Sequence, residues 1–149
     1  GEMASEHGYL LFALDAKRWL QEIQFDGPKK VHLGAGDLAM ARKSRYVMFE
    51  VPAGRYSVSK IKFSNYYYFT FEKELWSFDV SPGSVSYVGD MVVRTQDFLS
   101  IQAEFELVNR SSLALEYLEE SYPDLVDRKM VYYGGPGEDK FFSFSDNIK

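Results

Sequence analysis

The stretch RYSVSKIKF (residues 55–63) alternates apolar and polar side chains and then breaks step. Alternation with a period of two is typical of a β-strand that buries one face. The apolar residues Tyr56 and Val58 occupy even-numbered positions, whereas the apolar residue Ile61, further along, occupies an odd-numbered one. One extra residue near Ser59–Lys60 would turn both apolar sets toward the same core. We therefore predict that this stretch forms a strand with a β-bulge.

Alternation of the same period recurs along most of the chain. In LSIQAEFEL (99–107), every odd-numbered residue is apolar and every even-numbered residue is polar. Turn residues separate such segments at short intervals, as they do in antiparallel β-sheets. The predicted fold class is therefore mainly β, an antiparallel β-sandwich of about 7–9 strands. The other strand-like segments are 8–14, 19–25, 45–51, 66–71, 75–80, 84–93 and 130–133.

The period changes in the stretch 112–125, SLALEYLEESYPDL. Apolar residues there recur at helical spacing, and glutamates occupy several of the other positions. Pro123 disfavours helical backbone in the residue before it. We therefore predict one C-terminal helix near 112–121. A chain of 149 residues corresponds to about one domain, so we expect a single β-sandwich domain over 1–149, with a flexible tail over 134–149.

Composition excludes several classes of function. The chain has no cysteine, and therefore no disulfide, no thiolate nucleophile and no cysteine-based metal site. A net charge of −5 disfavours a nucleic-acid partner, which normally requires a basic surface. The longest apolar run, Tyr9–Leu14, is far too short to span a bilayer. The Gly-rich stretch 31–39 lacks the long strand and full helix of a dinucleotide site, so we expect no cofactor.

Charge is distributed unevenly along the chain. Lysine and arginine outnumber aspartate and glutamate in residues 1–62, whereas the acids outnumber the bases in residues 63–149. The C-terminal half is therefore predicted to present an acidic surface. Such a surface either favours solubility or serves as an electrostatic docking face.

Three consecutive tyrosines provide the best candidate for a binding surface. If Tyr67 faces the core, Tyr66 and Tyr68 stand together on the opposite face of a strand. Paired exposed aromatics can stack on sugar rings or anchor a protein partner. The same pair can equally pack under the helix or across strands. The loops at Gly54 and Gly83 are weaker binding candidates.

The stretch VSPGSVSYVGD (80–90) combines a Pro-Gly turn with a strand that falters at Gly89–Asp90. A phosphate-binding loop would need a helix directly after its glycines, and SVSYV continues as a strand instead. We interpret the stretch as a turn followed by a strand. A bulge or bend is predicted at Gly89–Asp90, where a further role of Asp90 stays open.

Two turns of the chain share a pattern. FEVPAGRYSV (49–58) and FDVSPGSVSYV (78–88) each contain an aromatic residue, an acid, a valine, a Pro/Gly turn and a new strand. This pattern resembles a group of uncharacterised exported bacterial proteins, many of them lipoproteins, with a transthyretin-like or carboxypeptidase-regulatory-like β-sandwich. The resemblance covers about residues 45–93. It implies the bacterial cell envelope, in the periplasm or at the outer membrane, with the signal peptide removed and a lipid anchor, if one exists, upstream of Gly1.

We therefore predict a non-catalytic envelope protein that binds or scaffolds a protein or a saccharide. The alternative is a small envelope saccharide hydrolase that uses Glu104 and Glu106, which stand two residues apart on one strand face. Paired carboxylates serve as nucleophile and acid in glycoside hydrolases. Alternating glutamates are also ordinary on a solvated strand, and no coherent catalytic set accompanies them. No catalytic residue is therefore assigned.

Overall fold

The computed structural model describes residues 6–16, 20–72, 76–95, 103–124 and 131–133. These residues form ten strands in two five-stranded sheets, so the fold is mainly β, as predicted. The strands are β1 (His7–Ala16), β2 (Glu22–Asp26), β3 (Val31–Gly34), β4 (Tyr46–Pro52), β5 (Gly54–Lys62), β6 (Tyr68–Thr70), β7 (Ser77–Val80), β8 (Val85–Thr95), β9 (Ala103–Val108) and β10 (Val131–Tyr133). The helices are α1 (Ala35–Leu38), α2 (Met40–Ser44) and α3 (Ser111–Ser121).

The strand count exceeds the predicted 7–9 by one. The additional strand is β3, which lies in the Gly-rich stretch and pairs with β2. Its four residues are too short for alternation to distinguish them from a loop. The tail predicted over 134–149 lies outside the described residues.

Sheet A has the order β10-β8-β1-β4, with β9 also paired to β8, and sheet B has the order β3-β2-β5-β6, with β7 also paired to β5. Most pairs are antiparallel, but β8 runs parallel to both β1 and β10. The expectation of a purely antiparallel arrangement is therefore wrong at these two pairs. Between β1 and β8 the chain passes through sheet B, and such a crossover allows parallel neighbours.

The central strand β1 is buried on both faces. Leu10 and Phe12 belong to the core between the two sheets, whereas Leu11 and Ala13 belong to a smaller cluster beneath α3. A strand covered on both faces carries apolar residues at consecutive positions. This double burial explains the apolar run that the sequence shows in its first strand.

The predicted C-terminal helix is confirmed as α3. Its buried residues, Ala114 and Leu118, pack against sheet A. Tyr117 stacks on Tyr46 with a ring-centroid distance of 4.3 Å. No helix in the described ranges is long and apolar enough to cross a membrane.

The predicted bulge in β5 is confirmed. Gln24 on β2 pairs with Lys60, whereas the next residue, Phe25, pairs with Val58, so Ser59 is the extra residue. The Ser59 hydroxyl donates a hydrogen bond to the Gln24 carbonyl at 3.1 Å. The bulge thus keeps the apolar residues on both sides of it in the same core.

The predicted irregularity in β8 is also a bulge. Leu11 of β1 pairs with Tyr87, but Ala13 pairs with Asp90, so β8 contains one more residue than β1 in this interval. Gly89 has a φ of +125°, which glycine adopts without the steric cost of a Cβ atom. As a result, Asp90 faces the same side of sheet A as Tyr87.

Deletion of Ser59 is expected to leave a folded protein, because the remaining β5 would alternate without interruption. The change removes the Ser59 hydrogen bond, which contributes about 1 kcal/mol. Deletion of Ser57 also removes one residue, but it places Val58 on the solvated face. Burial of a valine side chain contributes about 1.5–3 kcal/mol, so the second variant should have the lower free energy of unfolding in urea. Equal stability of the two variants would contradict the assignment of Ser59 as the extra residue.

Gly89→Ala is expected to lower the free energy of unfolding by about 2–3 kcal/mol. The φ of Gly89 is unfavourable for alanine, and the new Cβ atom would lie 2.8 Å from Cγ of Leu107. Gly36→Ala is the matched control, because no atom lies within 4 Å of a Cβ added there. Urea unfolding should show a change of less than about 1 kcal/mol for that control.

Candidate functional site

The outer face of sheet B, the face turned away from the core, carries many polar and charged side chains together with Tyr68, one of the four predicted binding residues. Residues directly opposite one another in neighbouring strands point to the same side of a sheet. Because Ile61 and Val58 belong to the core, the residues that alternate with them point outward. The register therefore places on this face His32, Glu22, Gln24, Asp26, Arg55, Ser57, Lys60, Lys62, Tyr68, Thr70, Ser77 and Asp79.

Tyr66 and Tyr68 are both exposed, but they occupy different places. Tyr68 is 49% exposed on the outer face of sheet B, and Nζ of Lys60 lies 4.9 Å from the centre of its ring. Tyr66 is 96% exposed in the loop that precedes β6. The expectation that both would stand on one strand face is therefore wrong for Tyr66.

The loop that presents Tyr66 is held by hydrogen bonds and aromatic packing. The Ser64 hydroxyl accepts hydrogen bonds from the backbone N–H groups of Tyr66 and Tyr67, at 3.3 and 3.1 Å. The Tyr67 ring stacks on Phe63 at a centroid distance of 4.8 Å. As predicted, Tyr67 packs against the core. The exposed ring of Tyr66 therefore projects from an anchored loop.

Gly54 and Gly83 lie in turns at the opposite end of β5 from Tyr66. The backbone N–H of Ala53 donates to the Glu6 carbonyl at 2.7 Å, and that of Gly83 donates to the His7 carbonyl at 2.8 Å. Both glycines have positive φ values. The two turns thus flank the start of β1, and the structure does not bring them together with the tyrosines. A binding role for these two turns stays a prediction.

A cleft of about 640 Å³ opens on the outer face of sheet B, near the turn between β2 and β3. It was not predicted, because its residues come from three separate segments that carry no common motif. The sequence offered one signal: the residues of β5 that alternate with its apolar residues are polar. The residues that line the cleft are Asp26, Gly27, Lys30, Arg55, Tyr56, Ser57 and Ser77.

The wall of this cleft depends on a close approach between a turn and a strand. A Cβ atom added to Gly27 would lie 2.4 Å from the Tyr56 ring, so only glycine fits there. The Tyr56 hydroxyl donates a hydrogen bond to the Pro52 carbonyl at 2.6 Å. Burial raises the pKa of this phenol, which therefore remains protonated at neutral pH. The Tyr56 ring is thus a rigid, uncharged element of the wall.

Asp90 is fully buried and belongs to a different cluster of charges. Its Oδ2 accepts hydrogen bonds from Arg45 at 2.9 Å and from Arg110 at 3.1 Å. Its Oδ1 accepts a hydrogen bond from the Tyr87 hydroxyl at 2.6 Å. The Tyr87 oxygen in turn accepts the backbone N–H of Arg110 at 2.9 Å. Asp90 therefore ties β8 to the residue before β4 and to the residue before α3.

The surroundings of Asp90 identify it as a structural carboxylate. Burial and the hydrogen bond to Asp90 raise the pKa of the Tyr87 phenol far above its ordinary value. Burial, followed by the charge of Asp90, also raises the pKa of Tyr46. A buried carboxylate is stabilised by paired charges and hydrogen bonds, and the two arginines and Tyr87 supply them. The open question about Asp90 is thus answered in favour of a fold-stabilising role.

Glu104 and Glu106 lie on β9, away from the cleft. Glu104 is exposed, and Glu106 forms an ion pair with Arg94 at 3.0 Å. Neither glutamate lines the cleft on sheet B. No group of three or more potential metal ligands occurs among the residues that the structure describes.

No protein-family model, curated protein or solved structure matches this chain at a significant level. Function must therefore be inferred from the geometry of the chain's own residues.

Asp90→Asn is expected to lower the free energy of unfolding by about 3 kcal/mol, because it leaves two arginines facing a neutral buried group. The matched control is Asp79→Asn, which breaks an exposed pair with Arg55 at 3.1 Å. Exposed ion pairs contribute about 0–1 kcal/mol. Urea unfolding of both variants measures the difference, and equal losses would contradict the structural role assigned to Asp90.

Proposed function

We propose that this chain is a non-catalytic binding module that recognises a saccharide through the outer face of sheet B. The observation that carries the proposal is the exposure of two tyrosines, Tyr68 on this face and Tyr66, which is 96% exposed, in the loop that precedes β6. An exposed aromatic ring offers a large contact area at low cost in side-chain entropy. Rings of this kind stack on the apolar faces of sugars.

The polarity of the surrounding face favours a saccharide over a protein partner. Glu22, Gln24, Lys60 and Lys62 lie on the same side of the sheet as Tyr68. The centres of protein–protein interfaces are depleted in lysine and glutamate. A hydroxyl-rich ligand, in contrast, can form hydrogen bonds with such groups while a ring packs against Tyr68. The combination of isolated rings and many polar groups is therefore the reason for choosing a saccharide.

The proposed setting is the bacterial cell envelope, in the periplasm or at the outer membrane. Its support is the resemblance of residues 45–93 to exported bacterial proteins with a transthyretin-like, or prealbumin-like, β-sandwich. The two sheets around one core and the Pro/Gly turns at the start of β1 are compatible with that architecture. A saccharide of the envelope is accordingly the proposed class of ligand.

Replacement of both Tyr66 and Tyr68 by alanine is expected to weaken binding to purified bacterial peptidoglycan about tenfold or more. This magnitude assumes about 1 kcal/mol for each stacked ring. Co-sedimentation of the protein with insoluble peptidoglycan measures the bound fraction. Urea unfolding of the same variant should match the unchanged protein, since both rings are exposed.

The matched control is Leu113→Ala with Leu115→Ala, which removes two exposed apolar side chains from α3 on the other sheet. This variant should sediment with peptidoglycan as the unchanged protein does. Full binding by the double tyrosine variant would reject the proposed site. Absence of binding by the unchanged protein would reject peptidoglycan as the saccharide.

A further inference from the structure

We propose that the cleft on sheet B binds an acidic sugar unit, whose carboxylate contacts Lys30 and Arg55 and whose hydroxyl groups contact Asp26 and Ser57. The inference rests on the saccharide-binding function proposed above, and it specifies the chemistry of a second subsite on the same face. It adds residues that the tyrosine site does not include.

The dimensions and lining of the cleft fit one sugar unit. Pockets for small ligands generally measure about 300–1,000 Å³, and this cleft measures about 640 Å³. Three of the seven lining residues are charged and two are serines; the other two are Gly27 and Tyr56, whose hydroxyl donates to the Pro52 carbonyl. Charged groups and hydroxyl groups beside the apolar ring of Tyr56 match a sugar, which carries both hydroxyl groups and apolar C–H faces.

Ser57 contributes a hydroxyl group to the cleft. The residue as a whole is 6% exposed, and it is one of the residues that line the cleft. Its cross-strand neighbours are Asp26 and Ser77, so two further polar groups lie on either side of it. A serine hydroxyl can both donate and accept a hydrogen bond, and a ligand hydroxyl in the cleft can therefore bond to Ser57.

Two cations line the cleft with donor groups available. Lys30 is exposed and has no ion-pair partner within the part of the chain that the structure describes. Arg55 contacts both carboxylate oxygens of Asp79, at 3.1 and 3.2 Å, but only through Nη1. Its Nη2 and Nε therefore remain available to a ligand. Lys30 and a guanidinium held in place by Asp79 provide the donors that a carboxylate requires.

Asp26 distinguishes an acidic sugar from a simple anion. Its carboxylate lines the same cleft and has no ion-pair partner in the described ranges. A small anion would gain from the two cations but would also be repelled by Asp26. A sugar acid can direct its carboxylate toward Lys30 and Arg55 while its hydroxyl groups donate to Asp26. The cleft therefore matches a ligand that has both an acid and several hydroxyl groups.

The cleft and the exposed ring of Tyr68 lie along one strand. Ser57 and Lys62 both belong to β5 and both point outward, and Tyr68 is directly opposite Lys62. Five residues of a strand span about 16 Å. Lys60 lies between the two positions on the same face. One extended saccharide can therefore contact the cleft with an acidic unit and Tyr68 with a neighbouring unit.

Titration of the isotope-labelled protein with sodium glucuronate, followed by NMR, tests the cleft alone. We expect chemical-shift changes at the amides of Gly27, Ser57 and Ser77. Glucose lacks the carboxylate and acetate lacks the hydroxyl groups, so each should bind at least tenfold more weakly than glucuronate. Absence of shifts at the cleft with glucuronate would overturn the inference. Acetate binding as tight as glucuronate binding would reduce the cleft to an anion site and would also overturn it.

Variants test the roles of the individual residues. Lys30→Gln and Ser57→Ala should each weaken glucuronate binding at least fivefold, whereas Lys43→Gln, which removes an exposed lysine from α2, should leave it unchanged. Thermal unfolding establishes that each variant is folded. Unchanged affinity in both cleft variants would overturn the inference even if the unchanged protein binds glucuronate.

The double tyrosine variant separates the two proposals. It should keep glucuronate binding in the cleft and lose binding to peptidoglycan. If the double variant loses peptidoglycan binding but the unchanged protein does not bind glucuronate, only the proposal about the cleft is overturned. Glucuronate binding together with undiminished peptidoglycan binding by the double variant would overturn the tyrosine site alone.

Discussion

Each sheet has a central strand that carries one extra residue, and the packing of both faces depends on these two bulges. In β5 the extra residue is Ser59, and in β8 the bulge occurs at Gly89. A shift of one residue in a strand exchanges its two faces. Because each bulge adds one residue part of the way along its strand, the apolar residues before and after the bulge face the same core. They also decide which polar residues share a surface.

The two bulges place charged groups in opposite environments. In sheet A the bulge turns Asp90 toward α3, where it is fully buried and must be neutralised by Arg45 and Arg110. In sheet B the bulge aligns Ser57 with the lysines near Tyr68 on a solvated face. The charges around Asp90 stabilise the fold, whereas the lysines on sheet B remain available to a ligand. This contrast supports the proposal that sheet B carries the binding surface.

Much of the fold follows from local patterns, but only part of the candidate site does. Alternation located the strands that exceed four residues, and the broken parity of β5 located its bulge near Ser59. The sequence left open whether Tyr66 and Tyr68 are exposed or packed against other elements, and the structure shows both to be exposed. Tyr66 nevertheless lies in a loop, since the strand begins only at Tyr68. The cleft was missed because a register between strands brings its residues together.

The sequence by itself determined the fold class, the helix at 111–121 and the parity of the strands, since all of these depend on the spacing of apolar residues within short segments. Only the tertiary structure decided that β8 runs parallel to β1, that Asp90 faces two arginines, and that Lys30 shares a cleft with Ser57. Those arrangements join residues that are far apart in the chain. These arrangements depend on which strands pair, and the alternation within a strand does not specify its partner strand.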